Sequence, residues 1–333
     1  MIHIRHPQAA AWLSAAILSF VAGAANAADI FATELGADVA AVAADVKISM
    51  MNGDGDGADS GRGPVPYLKA LGKPPARVAL VSFYVWDCGN KKESSYRIYG
   101  GNYTYHVTNT RKRAVGEGEV AVLANELHDA GIPALRDSFA AVGMQLLTAD
   151  EFLDTPAKRE AYDAFKMEAG GFSGLLRGLQ EKSHGDVWQW GAPDGYRVLE
   201  LTTVGNVKGN QFQLGQTGIS IGKTAAALGY DLAAKLGVDA VVILYNVVQA
   251  DKTTINMRGA GLYMFGPNPV PNSGQSLYWN GHQYSGVYLR MKDIPFIKTD
   301  KNGNLVEADY KGYGIVAGAL GKRMAEHVKG KTG

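Results

Sequence analysis

The chain has 333 residues, 46% of them hydrophobic, with 33 Lys and Arg set against 32 Asp and Glu. That balance leaves no positive surplus to attract nucleic acid or anionic lipid, and the apolar fraction excludes a disordered chain. The single cysteine, Cys88, excludes an internal disulfide, so stability has to come from packing.

In chain order, the first 27 residues carry Arg5, an apolar stretch from Ala9 to Gly23, and Ala25-Asn26-Ala27. This is the form of a secretory signal peptide with a small-residue cleavage site. Cleavage after Ala27 predicts a periplasmic or secreted protein with balanced charge. The apolar stretch is short for a membrane span and no later run reaches ~18 apolar residues, so no integral membrane span is expected. Residues 28–50 are alanine-rich and predict a helix, docked loosely because its large apolar side chains are few. With the following NGDGDGADSGRG (52–63) it makes an N-terminal helix and Gly/Asp-rich linker over 28–63, ahead of a single α/β domain over 64–330. In the linker Asn52, Asp54 and Asp56 alternate before Gly57, like the start of a calcium-binding EF-hand loop. Gly63 stands where that loop needs a bidentate glutamate, and Pro64 and Pro66 follow, so the linker reading is preferred and no cofactor is expected.

Arg77–Trp86 (RVALVSFYVW) is the first strong strand, ending at a turn that contains Cys88. Tyr96–Thr110 predicts a hairpin bent at Gly100-Gly101. A helix from Gly118 carries Val120, Leu123 and Leu127, pauses at Gly131-Ile132-Pro133, resumes through Leu135, Phe139 and Val142, and ends at Gly143. Met144–Leu147 reads as a short strand. Thr148-Ala149-Asp150-Glu151 has the form of a capping box, and Thr155-Pro156 starts another helix. A helix over 172–182 and a strand over Arg197–Val204 complete this half.

The chain is organised around residues 220–249, one helix running into one strand. Ile221, Ala225, Leu228, Leu232 and Leu236 share a helix face, Lys223, Asp231 and Lys235 lie off it, and Gly237 stops it. Ala240–Val248 is almost unbroken apolar sequence, as in a strand covered on both faces. Thr253–Phe265 is a strand whose inward phase switches near Gly259–Gly261, which a bulge explains. A loop over 266–283 leads to the strand Tyr284–Met291, a turn at 300–304 and a terminal helix Tyr313–Val328 burying Ile315, Val316, Ala319 and Met324. The fold class is therefore α/β, a mixed sheet flanked by helices with long hairpin insertions.

GQTGISIGKT (215–224) ends like a phosphate-cradling loop, but Thr217 stands where its first glycine belongs. There is no G-x-S-x-G elbow and no H-E-x-x-H pair, and His106, His128, His184, His282 and His327 stand more than four residues apart. His184-Gly185-Asp186 reads as a surface hydrogen bond, and a catalytic site assembled in space stays open as an unrecognised hydrolase. The aromatic loops are the better candidates: Tyr278, Trp279, His282 and Tyr284 in one place, Trp188 and Trp190 in another, offer flat faces to a sugar or hot spots to a protein partner. The alternative is that these rings cover the ends of the sheet.

From Leu232 to Val248, LAAKLGVDAVVILYNVV followed by a strand, a loop and a second strand ending in VYLRMKD resembles the α/β domain of bacterial envelope proteins. These are the curli-secretion channel subunit, the lipoprotein activator of a penicillin-binding protein and the amino-terminal domain of TolB. The resemblance covers 78–291 in outline and lacks the lipid-attachment cysteine of the first two families. It implies a non-catalytic role in envelope assembly or secretion, binding an envelope protein, and transfers no site residues. A periplasmic carrier of a carbohydrate or other small ligand is the alternative.

Overall fold

The computed structural model describes residues 29–48, 73–87, 90–99, 102–111, 117–166, 189–199, 227–266, 284–301 and 304–332. The fold is α/β, built on an eight-stranded mixed sheet with a separate two-stranded ribbon. Helices α1 (Ile30–Leu35) and α2 (Val39–Asp45) precede β1 (Lys47–Ile48). Strand β2 (Arg77–Asp87) is followed by the hairpin β3 (Asn90–Tyr99) and β4 (Asn102–Arg111), then α3 (Glu117–Ala140) and β5 (Gln145–Leu147). Next come α4 (Ala149–Phe152), α5 (Pro156–Ala164), β6 (Gln189–Gly191), a π-helical stretch Ala227–Leu232 leading into α6 (Ala233–Leu236), and β7 (Ala240–Ala250). Strands β8 (Thr254–Phe265), β9 (Tyr284–Thr299) and β10 (Leu305–Ala308) and helix α7 (Tyr313–Thr332) complete the described order.

The sheet runs β1-β9-β8-β7-β2-β5, with β10 also on β9 and β6 also on β2. Strands β5, β2 and β7 are parallel, while β7, β8 and β9 form an antiparallel meander. Both faces are buried, which is why β2 and β7 read as continuous apolar runs. Val78, Leu80, Phe83, Val85, Val242 and Leu244 face α1, α2, α3 and α7, and Ala79, Val81, Tyr84, Trp86, Ile243 and Tyr245 face α4, α5 and α6. The alternation in β2 changes phase at a bulge between Leu80 and Ser82. There the Ser82 hydroxyl donates to Arg197 O (2.7 Å) and accepts from Leu199 N (3.0 Å). Residues 197–199 are thus held beside β2 by a side chain and not by a ladder, so the expected strand does not begin there; residues 200–204 lie outside the described residues.

Several expectations need correction. Residues 28–50 do not form one loosely docked helix. Gly36, at φ +93°, ends α1, and Asp29 and Asp38 each cap a short helix through a backbone N–H. Phe31 is fully buried against Phe296 and Tyr313, and its N–H donates to Asp309 at 3.0 Å. Helix α3 does not pause at Gly131-Ile132-Pro133. Pro133 is exposed, so water can solvate the carbonyl it leaves unpaired, and Gly131 lets the Tyr313 ring of α7 press against the helix. The terminal helix runs on to Thr332, and Ile315 is only half-buried. Strand β9 extends to Thr299, and β10 follows the turn tied by Asp300 and Asn304.

Other expectations hold. Gly237 ends α6 in the left-handed conformation (φ +66°), and Leu228, Leu232 and Leu236 are fully buried. The stretch ahead of α6 is π-helical where α-helix was expected. Residues 172–182 and 220–226 lie outside the described residues. The phase switch in β8 comes from one extra residue, Arg258, just before Gly259. No helix among the described residues is long and apolar enough to cross a membrane.

Tyrosines from three strands line up on the second face. Tyr84 stacks on Tyr245 (centroids 5.7 Å), Tyr245 on Tyr263 (6.1 Å) and Tyr263 on Phe265 (6.5 Å). Room for the rings comes from glycines directly opposite them, Gly261 across from Tyr245 and Gly286 across from Tyr263. A Cβ on Gly261 would stand 2.7 Å from the Tyr245 ring, and one on Gly286 would stand 2.5 Å from the Tyr263 ring. Gly261→Ala and Gly286→Ala should each destabilise by about 1–3 kcal/mol in urea unfolding. Gly330→Ala, where nothing lies within 4 Å in the last turns of α7, should be neutral or stabilise by about 0.5–1 kcal/mol.

Candidate functional site

Of the sequence candidates, Tyr278, Trp279, His282, Trp188, Asn52, Asp54 and Asp56 lie outside the described residues, as does Cys88. Trp190 and Tyr284 are placed as backbone, with Trp190 opposite Trp86 on β6 and Tyr284 opposite Phe265 at the start of β9. The structure brings two other groups of residues together.

The first stands at the carboxyl end of β5. Chain connections leave β2 over one face and β5 over the other, the switch point at which open α/β sheets bind ligands. His128 on α3 has Asp129 Oδ1 3.1 Å from Nδ1 and the Tyr196 hydroxyl 3.2 Å from Nε2, and its ring meets Phe83 edge-on. Tyr196 also accepts the Ala149 N–H at 3.2 Å. Its own proton is therefore free to go to Nε2, which leaves the Nδ1 proton for Asp129. The resulting chain runs carboxylate, imidazole, phenol, backbone amide. Beside it the expected capping box is formed. The Thr148 N–H donates to Glu151 (2.7 Å), Arg136 donates to Glu151 (2.6 Å) and Thr148 (2.9 Å), and the Thr148 hydroxyl donates to Asp150. That last hydrogen bond holds the Asp150 carboxyl below its usual range, with Arg136 adding to the effect.

Burial pushes the Tyr196 phenol well above its ordinary value. The hydrogen-bond chain ties Tyr196 and the backbone at Ala149 to α3. Sequence reading missed it because His128 and Tyr196 are 68 positions apart. The one available signal was the place of His128, four residues after buried Ala124 on the flank of the apolar stripe.

The second group lies at the opposite margin of the sheet. A groove of about 540 Å³ is lined by Glu34 and Leu35 of α1, Val42 and Asp45 of α2, Lys47 of β1 and Tyr288, Leu289 and Arg290 of β9. It lies beside a stretch of β9 that has no outer strand among the described residues. β1 pairs only with Val287 and Tyr288, and β10 takes over only at Ile297. Among the described residues no cluster of three His, Cys, Asp or Glu side chains is placed to hold a metal ion.

Tyr196→Phe should cost about 1–2 kcal/mol, because it strips the acceptor from a buried amide and the partner from His128. Burial also lifts the Tyr162 phenol, whose OH donates to Val81 O and accepts from Arg197 N, to about 12. Below pH 10 both folded and unfolded chains keep that proton and stability is whole. Between 10 and 12 the unfolded chain ionises first, so stability falls as pH rises, by up to about 1.4 kcal/mol per unit for each such phenol. Urea midpoints taken across this window should fall for the wild type and fall less for Tyr162→Phe.

No family model matches the chain, and neither a curated protein nor a solved structure does.

Proposed function

We propose that this chain is an exported, non-catalytic module of the bacterial cell envelope that works by holding a protein partner in envelope assembly or secretion. The observation that carries the reading is the groove with apolar and charged walls beside β9, next to a stretch of β9 that pairs with no outer strand among the described residues. Unpaired strand edges are natural templates for another chain. A further feature supports the same reading: apart from the β3–β4 hairpin, the order of β2, α3, β5, α6, β7, β8 and β9 fits the outline that the resemblance over 78–291 implies. Export rests on residues 1–27.

The groove's volume also falls in the range of small-molecule sites, which favours a periplasmic carrier of a carbohydrate or other small ligand as the second reading. A pull-down from envelope extract, with the chain as bait and both protein and small-molecule fractions examined, separates the two. The partner reading expects one protein recovered in near-stoichiometric amount that captures the chain in the reciprocal experiment. Recovery of only a sugar or lipid transfers the assignment to the carrier, and recovery of nothing overturns both. Tyr278→Ala/Trp279→Ala, run alongside, reports whether the 266–283 loop takes part.

A further inference from the structure

We propose that the groove beside β9 binds a short peptide that has two free ends and apolar side chains. This names the ligand class of the carrier reading and rests on that reading.

Directly opposite residues of an antiparallel pair share one face of the sheet. Lys47 pairs with Tyr288, and Tyr288 packs against the cluster under α4, α5 and α6. Val46, the residue before Lys47, is buried on the other face in the cluster that holds Val42 and Leu289, with Leu35 packed against it. Lys47 therefore stands on one wall of the groove. Helices α1 and α2 form the opposite wall and bring Glu34 and Asp45 to it. All three charged residues are exposed, and none of them makes a side-chain hydrogen bond or ion pair with another described residue. Charges of opposite sign thus line one groove without reaching each other.

The two acids stand in the last turns of their helices, and neither turn carries a basic side chain. Carbonyl groups left over at the end of a helix favour a cation and disfavour a carboxylate. Glu34 and Asp45 work against local stability there and toward holding an ammonium group, the kind of local conflict expected at a functional site. Between the charged walls Leu35, Val42 and Leu289 supply apolar lining. Arg290, already held over the Tyr288 ring at 5.7 Å, adds positive potential to the Lys47 wall and is not required as a contact.

Charge complementarity selects the ligand. A dicarboxylate would be repelled by Glu34 and Asp45, and a diamine by Lys47, whereas a zwitterion suits both walls. A single amino acid carries both charges on one carbon. Each added residue spreads them by about 3.5 Å, as protein charges that do not reach one another require. A volume of about 540 Å³ admits a short peptide together with its side chains.

The test is calorimetric titration of the full chain with the dipeptide Leu-Leu, with N-acetyl-Leu-Leu, which lacks the ammonium, and with Leu-Leu amide, which lacks the carboxylate. Leu-Leu should bind at least about tenfold more tightly than either capped form. Lys47→Met should erase the penalty for amidation and keep that for acetylation. Glu34→Gln/Asp45→Asn should do the reverse, each variant being checked for an unchanged melting temperature. Wild-type protein that binds none of the three peptides, or all three alike, overturns the proposal, as does a penalty that the matching variant leaves intact. The small-molecule fraction of the envelope pull-down keeps the two readings apart. A sugar or lipid recovered there, with no peptide binding in the titration, rejects this ligand and leaves the carrier reading standing. Selective peptide binding in the titration, with no small molecule recovered from the envelope, keeps the site and rejects the carrier reading.

Discussion

The register of β2 against β7 is the constraint on which the rest of the structure depends. One carboxylate sets it: Asp239, just ahead of β7, accepts the N–H groups of both Ala76 and Arg77 at 2.8 Å, and Arg77 in turn donates to Gly237 O at 3.0 Å. Both strands are buried on both faces, so a slip of one residue would exchange every side chain between two differently built layers. The bulge at Leu80/Ser82 is tolerated because it has its own partners, residues 197–199, which in turn are held by Tyr162 through Val81 O and Arg197 N.

The two layers differ in chemistry. The face under α3 and α7 is mainly aliphatic, with Tyr313 and Asn246 joined by a buried hydrogen bond of 2.7 Å. The other face is an aromatic slab whose stacked rings fit only because Gly261 and Gly286 give up their side chains. Burial lifts the phenols of Tyr245 and Tyr313 as it does those of Tyr162 and Tyr196, so the fold keeps these groups neutral and uses them for packing and for directed hydrogen bonds.

With both faces closed, the described sheet is open only at its margins. At one margin, the carboxyl end of β5, polar groups are abundant but already engaged with one another, from Arg136 and Glu151 to His128 and Tyr196. At the other margin, along β9, helix α2 leads into β1, which pairs over two residues, and β10 joins only past Phe296. That difference among the described residues is what directs the functional reading to β9.

The sequence by itself determined which segments are strands and helices wherever a face is buried and the period is clear. The apolar run Ala240–Val248, the stop at Gly237, the capping box at Thr148 and the proline start at Pro156 are local signals, set by backbone sterics and hydrogen bonding within a few residues. Even the β8 bulge was legible, because one extra residue reverses a two-residue alternation. What only the tertiary structure decided depends on residues far apart in the chain. The break of 28–50 into two helices docked by Phe31, the uninterrupted α3 over Pro133, the pairing of His128 with Tyr196 and the gap beside Leu289 each need a neighbour from elsewhere in the fold. The pairing of β9 in particular has no signature of its own, since a strand reads the same whether or not another lies beside it, and only its neighbours in the fold settle how far it is paired.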